Sequence, residues 1–216
     1  MLKILMAATG LVFIGYVLLH MYGNLKVFAG QEAFDDYAHH LRTIGEPFLP
    51  YAGLIWILRV VLLVSLAVHV ACAVALWRRA RGARTQRYAV RRTIQATWSS
   101  RTMRYGGLAI LLFVVFHLLH LTTHTINPGG PQDSPYERVV TSFAPEQWWV
   151  SVVYLLAMLA LGLHLRHGTF SSMQTFGLTG SPPAARIANV AGYIVGTVVA
   201  VGFALVPLAC LVGIVD

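Results

Sequence analysis

Five long apolar stretches with few interruptions run along the chain, and nearly all the charged residues collect between them: Ile4–Tyr22, Leu54–Trp77, Tyr105–Thr123, Trp148–Leu165 and Ala188–Val215. An α-helix rising 1.5 Å per residue needs about 20 residues to cross a hydrocarbon core. Each stretch therefore predicts one membrane-spanning helix, the fourth running past Arg166 to about residue 167. The expected fold is all-α, an integral membrane bundle of five transmembrane helices forming a single domain over residues 1–216.

The polar intervals carry less structure. Gly30–Glu46 reads as an amphipathic surface helix, with Ala33, Phe34, Tyr37 and Leu41 on one face and Glu32, Asp36, His39 and His40 largely elsewhere. Asn127-Pro128-Gly129-Gly130-Pro131 is turn material ending the third helix, and Gly177–Pro183 is a turn before the last. Pro207 should kink the fifth helix, which carries no histidine.

Composition agrees: 57% of the 216 residues are hydrophobic and 11% charged, too few charges for a soluble domain. The net charge of +8 is an asymmetry along the chain. Nine arginines (Arg78, Arg79, Arg81, Arg84, Arg87, Arg91, Arg92, Arg101 and Arg104) and no acid lie between the second and third spans, which makes that segment cytoplasmic by the positive-inside rule. The N-terminus is then cytoplasmic and the C-terminus outside. All eight acids (Glu32, Asp35, Asp36, Glu46, Asp133, Glu137, Glu146 and Asp216) fall on the opposite side. Topology accounts for the arginines without nucleic acid, and the same basic loop suits anionic lipid headgroups or an acidic soluble partner. The first span lacks a small-residue cleavage site and reads as a mature helix. Cys72 and Cys210 lie far apart inside spans, without metal-ligand spacing, and read as small core residues.

The candidate chemistry is carried by histidine. His20, His69, His117 and His164 occur one in each of the first four apolar stretches, and an imidazole inside a membrane span marks a functional site. Counting from flanking charges puts His69 and His164 in the inner half and His20 and His117 in the outer half. Two facing pairs of imidazoles are what two six-coordinate haem irons require. The inner match is imperfect: distances to the nearest arginines differ by seven residues, roughly 10 Å along a helix. On the third helix His117, His120 and His124 share one stripe, and depth alone slightly favours His120 over His117 as the partner of His20. His167, one turn beyond His164, competes on the fourth helix. Gly10, Gly15, Gly106 and Gly107 are candidates for making room for a flat macrocycle.

Several short motifs occur in order on these helices: Leu18-Leu19-His20-Met21-Tyr22-Gly23-Asn24-Leu25, Gly30-Gln31-Glu32-Ala33-Phe34, Ala67-Val68-His69, Val115-Phe116-His117, and Gly162-Leu163-His164 through Gly168, Phe170 and Phe176-Gly177-Leu178-Thr179 to Arg186. In these the chain resembles the diheme cytochrome b membrane subunits of type B succinate:quinone oxidoreductases, the succinate dehydrogenases and fumarate reductases with a single five-helix anchor. The resemblance implies that His69 and His164 ligate the iron of a proximal haem b, and His20 and His117 that of a distal one. It implies electron transfer from a flavoprotein subunit and an iron–sulfur subunit, docked on the cytoplasmic side, to a quinone, menaquinone being the family expectation. It also implies a place in the respiratory chain and tricarboxylic acid cycle, and a bacterial inner (plasma) membrane. The succinate chemistry itself lies in other subunits, and a higher oligomer stays open.

A quinone taking up two protons needs titratable groups nearby, for which the outer side offers His39, His40, Glu46, Arg59, His120 and His124. Arg59 is a candidate for a haem propionate or a quinone carbonyl, its alternative being to snorkel to the interface; His120 is a candidate neighbour of the haem or quinone. Some family members carry a glutamate two residues before the fourth-helix ligand, where this chain has Gly162, and its spans hold no carboxylate. Two other readings compete: a diheme cytochrome b of another respiratory complex, and a haem-free membrane anchor or transporter.

Overall fold

The structure is a computed structural model that describes residues 1–82 and 98–216, with the side chains of 98–102 left aside. Arg84, Arg87, Arg91 and Arg92, and the Arg101 side chain, lie outside the described residues. Seven α-helices follow in order among the described residues: α1 Leu2–Leu25, α2 Gln31–Thr43, α3 Gly53–Gly82, α4 Trp98–His117, α5 Pro135–Ser142, α6 Trp148–Thr175 and α7 Pro182–Leu211. Five of them, α1, α3, α4, α6 and α7, are long and apolar enough to cross a membrane. No strand occurs among the described residues.

The long helices run up and down. α1 starts and α3 ends at one end, beside Arg78, Arg79 and Arg81; we call it the basic end. α2 and α5, with Glu32, Asp35, Asp36 and Glu137, cover the opposite, acidic end.

Apolar side chains gain little by leaving lipid for one another, so membrane helices associate where small residues allow their backbones close. The α6–α7 seam shows this. A Cβ on Gly196 would lie 2.5 Å from the Gly162 carbonyl oxygen, and one on Gly192 2.5 Å from that of Arg166. A Cβ on Gly162 would stand 2.9 Å from Ala200 Cβ and 3.0 Å from the Gly196 carbonyl. Position 162 therefore has no room for a glutamate. Gly192-Tyr193-Ile194-Val195-Gly196 is a GxxxG stretch, a signal for this contact that the sequence carries and that span hydropathy does not reveal.

The acidic end is capped by the predicted α2 and by α5, where only a loop was expected. Ser134 caps α5 by accepting from Glu137 N at 3.2 Å, while Glu137 Oε2 accepts from Asp133 N at 3.2 Å. The Ser134-Pro135-Tyr136-Glu137 run is a capping signature legible in the sequence. Tyr136 N donates to Asp35 Oδ1 at 3.0 Å, tying α5 to α2, and Tyr136 Oη donates to the Asp216 carbonyl at 3.2 Å. Burial, with Cys210 and Asp216 alongside, holds the Tyr136 phenol above the usual tyrosine range, so it stays a neutral donor. Below it a core of Val27, Val139, Phe143, Val150, Tyr154, Val206 and Ala209 fills the acidic end of the bundle.

Two sequence expectations change. After His117 the α4 helix widens into one π turn, Leu118–Thr122, where Thr123 N donates to the Leu118 carbonyl at 2.9 Å. His124 lies beyond that end, in the left-handed region at φ 56°. The three-histidine stripe is thus broken, because the helix carrying it ends before the third member. The spans also run longer than their apolar cores: the fourth reaches Thr175 and the fifth begins at Pro182, capped by Ser181.

Candidate functional site: two opposed histidine pairs

Four helices each contribute one imidazole. His69 of α3 faces His164 of α6, ring centres 6.3 Å apart and planes at 54°. His20 of α1 faces His117 of α4, at 5.9 Å and 81°. Two metal–nitrogen bonds of about 2.0–2.1 Å, with about 1 Å more from each nitrogen to its ring centre, span about 6 Å. Each gap is thus that of one transition-metal ion between two imidazoles. No group of three or more His, Cys, Asp or Glu side chains gathers among the described residues, so each pair offers two protein donors.

The pairs sit at two levels. Thr9 touches His69, and His20 lies eleven residues further along α1; Gly107 lies beside His164, and His117 lies ten residues further along α4. On α6, Tyr154 touches His117 ten residues before His164. Three helices therefore agree on a separation of about 15 Å along the bundle. His69–His164 is the basic-end pair and His20–His117 the acidic-end pair.

The depth mismatch between His69 and His164 has a simple cause. Arg166 does not mark the end of α6, which continues to Thr175. Its guanidinium lies over the Tyr193 ring of α7, 3.8 Å from the centroid, and Nη2 donates to the Tyr193 hydroxyl. That pairing lets an arginine sit two residues past His164.

The alternatives left open by depth also separate. His117, and not His120, presents its ring to His20, while His120 lies fully buried among Phe116, Phe143 and Tyr154. His164, rather than His167, is the α6 imidazole facing His69.

Two hydroxyls not singled out in the sequence hold the imidazoles. His69 Nδ1 lies 3.1 Å from Thr9 Oγ1, which is also 2.8 Å from the Leu5 carbonyl and 3.1 Å from that of Met6. The one hydroxyl proton of Thr9 goes to its own helix, so Oγ1 accepts from His69 Nδ1–H and leaves Nε2 free as a lone-pair donor. Tyr154 Oη lies 3.1 Å from His117 Nδ1 and 3.0 Å from His120 Nδ1. Polar residues inside predicted spans were the available signal, but their partners are on other helices.

His20 is held by packing and by Asn24, whose Nδ2 lies 3.5 Å from His20 Nε2. His20 stacks on Tyr16 at 5.4 Å and 10° and meets Phe203 at 5.6 Å. Asn24 Nδ2 donates to the His20 carbonyl at 2.8 Å. His164 Nδ1 is buried with no hydrogen-bond partner. A Cβ on Gly10 would lie 3.7 Å from His69 Cε1 and one on Gly107 3.6 Å from His164 Cε1, whereas Gly15 and Gly106 have nothing within 4 Å of that position. A groove of about 180 Å³ opens beside His164, lined by Met103, Gly106, Leu156, Ala160 and Leu163.

The other candidates lie toward the acidic end. Arg59 is exposed on α3 with its guanidinium 4.7 Å from the Trp56 ring centre, ten residues before His69 and so at the level of the acidic-end pair. His39, His40 and Glu46 are exposed.

A bundle of five apolar helices carrying opposed histidine pairs defines a multi-pass membrane protein. The chain belongs to the succinate dehydrogenase/fumarate reductase transmembrane subunit family, whose model matches residues 77–210, more than half of its length. It is accordingly a membrane-anchor subunit, and catalytic subunits of that oxidoreductase complex are its partners. Comparison with curated proteins and with solved structures produced no match. His117 and His164 fall inside the matched segment, His20 and His69 before it, so each facing pair joins one residue from either part.

Proposed function

We propose that this subunit is a diheme cytochrome b anchor of the type B class, in which His69 and His164 hold a proximal haem and His20 and His117 a distal one. The observation carrying the proposal is the two imidazole gaps, 6.3 and 5.9 Å between ring centres, at two levels of one bundle. The surroundings fit a flat macrocycle: Cβ-free backbone at Gly10 and Gly107 beside the basic-end rings, and a groove opening at His164. When bound, bis-histidine b haems supply one-electron carriage between the iron–sulfur subunit and a quinone, with no coordination position left for oxygen or substrate.

The chain's own residues supply the rest. Thr9 and Tyr154 present His69 and His117 with Nε2 available. The α2–α5 cap and the aromatic core keep water from the acidic-end pair. The basic end, with Arg78, Arg79, Arg81 and Arg104, faces the cytoplasm and the flavoprotein and iron–sulfur subunits, which puts the N-terminus inside, the C-terminus outside and the acidic end at the outer surface of a bacterial plasma membrane. A quinone, menaquinone in this reading, is reduced near the acidic-end pair. Arg59 sits at the right level to pair with a propionate or a quinone carbonyl, and His120, His124, His39, His40 and Glu46 are the proton-bearing groups on that side.

The test is the pyridine haemochrome stoichiometry of the purified complex, for wild type, His69→Ala and His117→Ala. Two b haems per chain, with each variant losing one, support the assignment. Absence of haem, or haem indifferent to both changes, sinks it.

A further inference from the structure

The Tyr154 hydroxyl has one proton and two imidazole nitrogens within reach, His117 Nδ1 at 3.1 Å and His120 Nδ1 at 3.0 Å. It cannot donate to both. With His117 Nδ1 turned to Tyr154, Nε2 is the nitrogen left for coordination; a neutral imidazole that offers a lone pair at Nε2 carries its proton on Nδ1 and donates it. Oη therefore accepts from His117, and its own proton goes to His120 Nδ1. His120 must then carry its proton on Nε2, a buried atom without a hydrogen-bond partner, in a ring enclosed by Phe116 and Phe143.

We propose that Tyr154 is a positioning residue of the acidic-end pair, linking His117 Nδ1–H, Tyr154 Oη–H and His120 Nδ1 in one directed hydrogen-bond chain that makes His117 a stronger electron donor to iron than an isolated imidazole. The proposal rests on the bis-histidine reading above. An acceptor on the outer nitrogen of a ligating imidazole draws its proton away and raises the basicity of the coordinating nitrogen. Oη is polarised further because its own proton is shared with His120. Stronger donation favours the oxidised iron and lowers its midpoint potential. Thr9 accepts from His69 Nδ1–H in the same way, but its own proton goes to a backbone carbonyl of its helix, so no third side chain extends that contact. His120 is thus the end of a chain and not an alternative ligand.

The experiment is a spectroelectrochemical redox titration, with low-temperature EPR of the oxidised haems, on the intact complex. The acidic-end midpoint is identified as the one missing in His117→Ala. In Tyr154→Phe both haems remain, that midpoint rises and its g values move, and the other midpoint stays in place. His120→Leu shifts the same midpoint in the same direction by less, and His120→Gln, whose amide oxygen accepts a hydrogen bond, returns it toward wild type. If Tyr154→Phe drops the acidic-end haem, His120→Leu decides, because it leaves the tyrosine in place. Two haems with both midpoints at wild-type values in the variants overturn the chain and leave the diheme assignment standing. Wild-type complex without haem overturns both.

Discussion

The two histidine pairs are built alike up to one atom. Each has a hydroxyl from another helix against one Nδ1: Thr9 of α1 on His69 at the basic end, Tyr154 of α6 on His117 at the acidic end. The threonine proton turns back into its own helix, whereas the tyrosine proton leads on to a third imidazole. The ends differ in cover as well. The acidic end is closed by α2, α5 and a packed aromatic core, while beside the basic-end pair a groove reaches His164.

The comparison breaks first at the ligands. On the proposed diheme reading, His164→Ala should remove the basic-end haem alone and His20→Ala the acidic-end haem alone, read by haemochrome content; loss of both haems from either change would show that the pairs do not fold as separate sites.

Packing comes next. Gly196→Ala drives a methyl against the rigid Gly162 carbonyl and should cost about 1–3 kcal/mol, lowering the thermal midpoint of the detergent-solubilised complex with the basic-end haem leaving first. Gly202→Ala meets first the flexible Met21 thioether, which can move aside, and should cost less than Gly196→Ala. Equal losses would mean that the α6–α7 seam is looser than its backbone contacts indicate.

Thr9→Val keeps shape and removes the acceptor. Haem retention at the basic end should fall about tenfold in a competition with apomyoglobin, with the acidic end unchanged. A smaller effect than at the ligands is expected at the cap. Asp35→Ala removes the carboxylate that holds Tyr136 N and should cost about 1 kcal/mol, seen as faster amide exchange in α5 with both haems retained.

Much of this was legible in one dimension. Five spans, the amphipathic α2 and the four imidazoles follow from hydropathy and spacing, because lipid demands a long apolar helix for each crossing and leaves any buried imidazole conspicuous. Two features were legible and went unread: the Gly192–Gly196 repeat behind the α6–α7 seam, and the Ser134–Glu137 cap that starts α5. The stripe through His124 was read too far, since the π turn that ends α4 is not encoded in periodicity.

What order along the chain settles is which residues lie on which helix and roughly how deep, a consequence of a fixed rise per residue. Which rings face one another depends on helix rotation, tilt and overrun, and these are set by close contacts between helices distant in sequence. The choice of His117 over His120, the meeting of His69 with His164 despite unequal distances to their arginines, and the capture of His117 by Tyr154 all belong to that second kind. A hydrogen bond across 37 residues is visible only once the helices stand side by side.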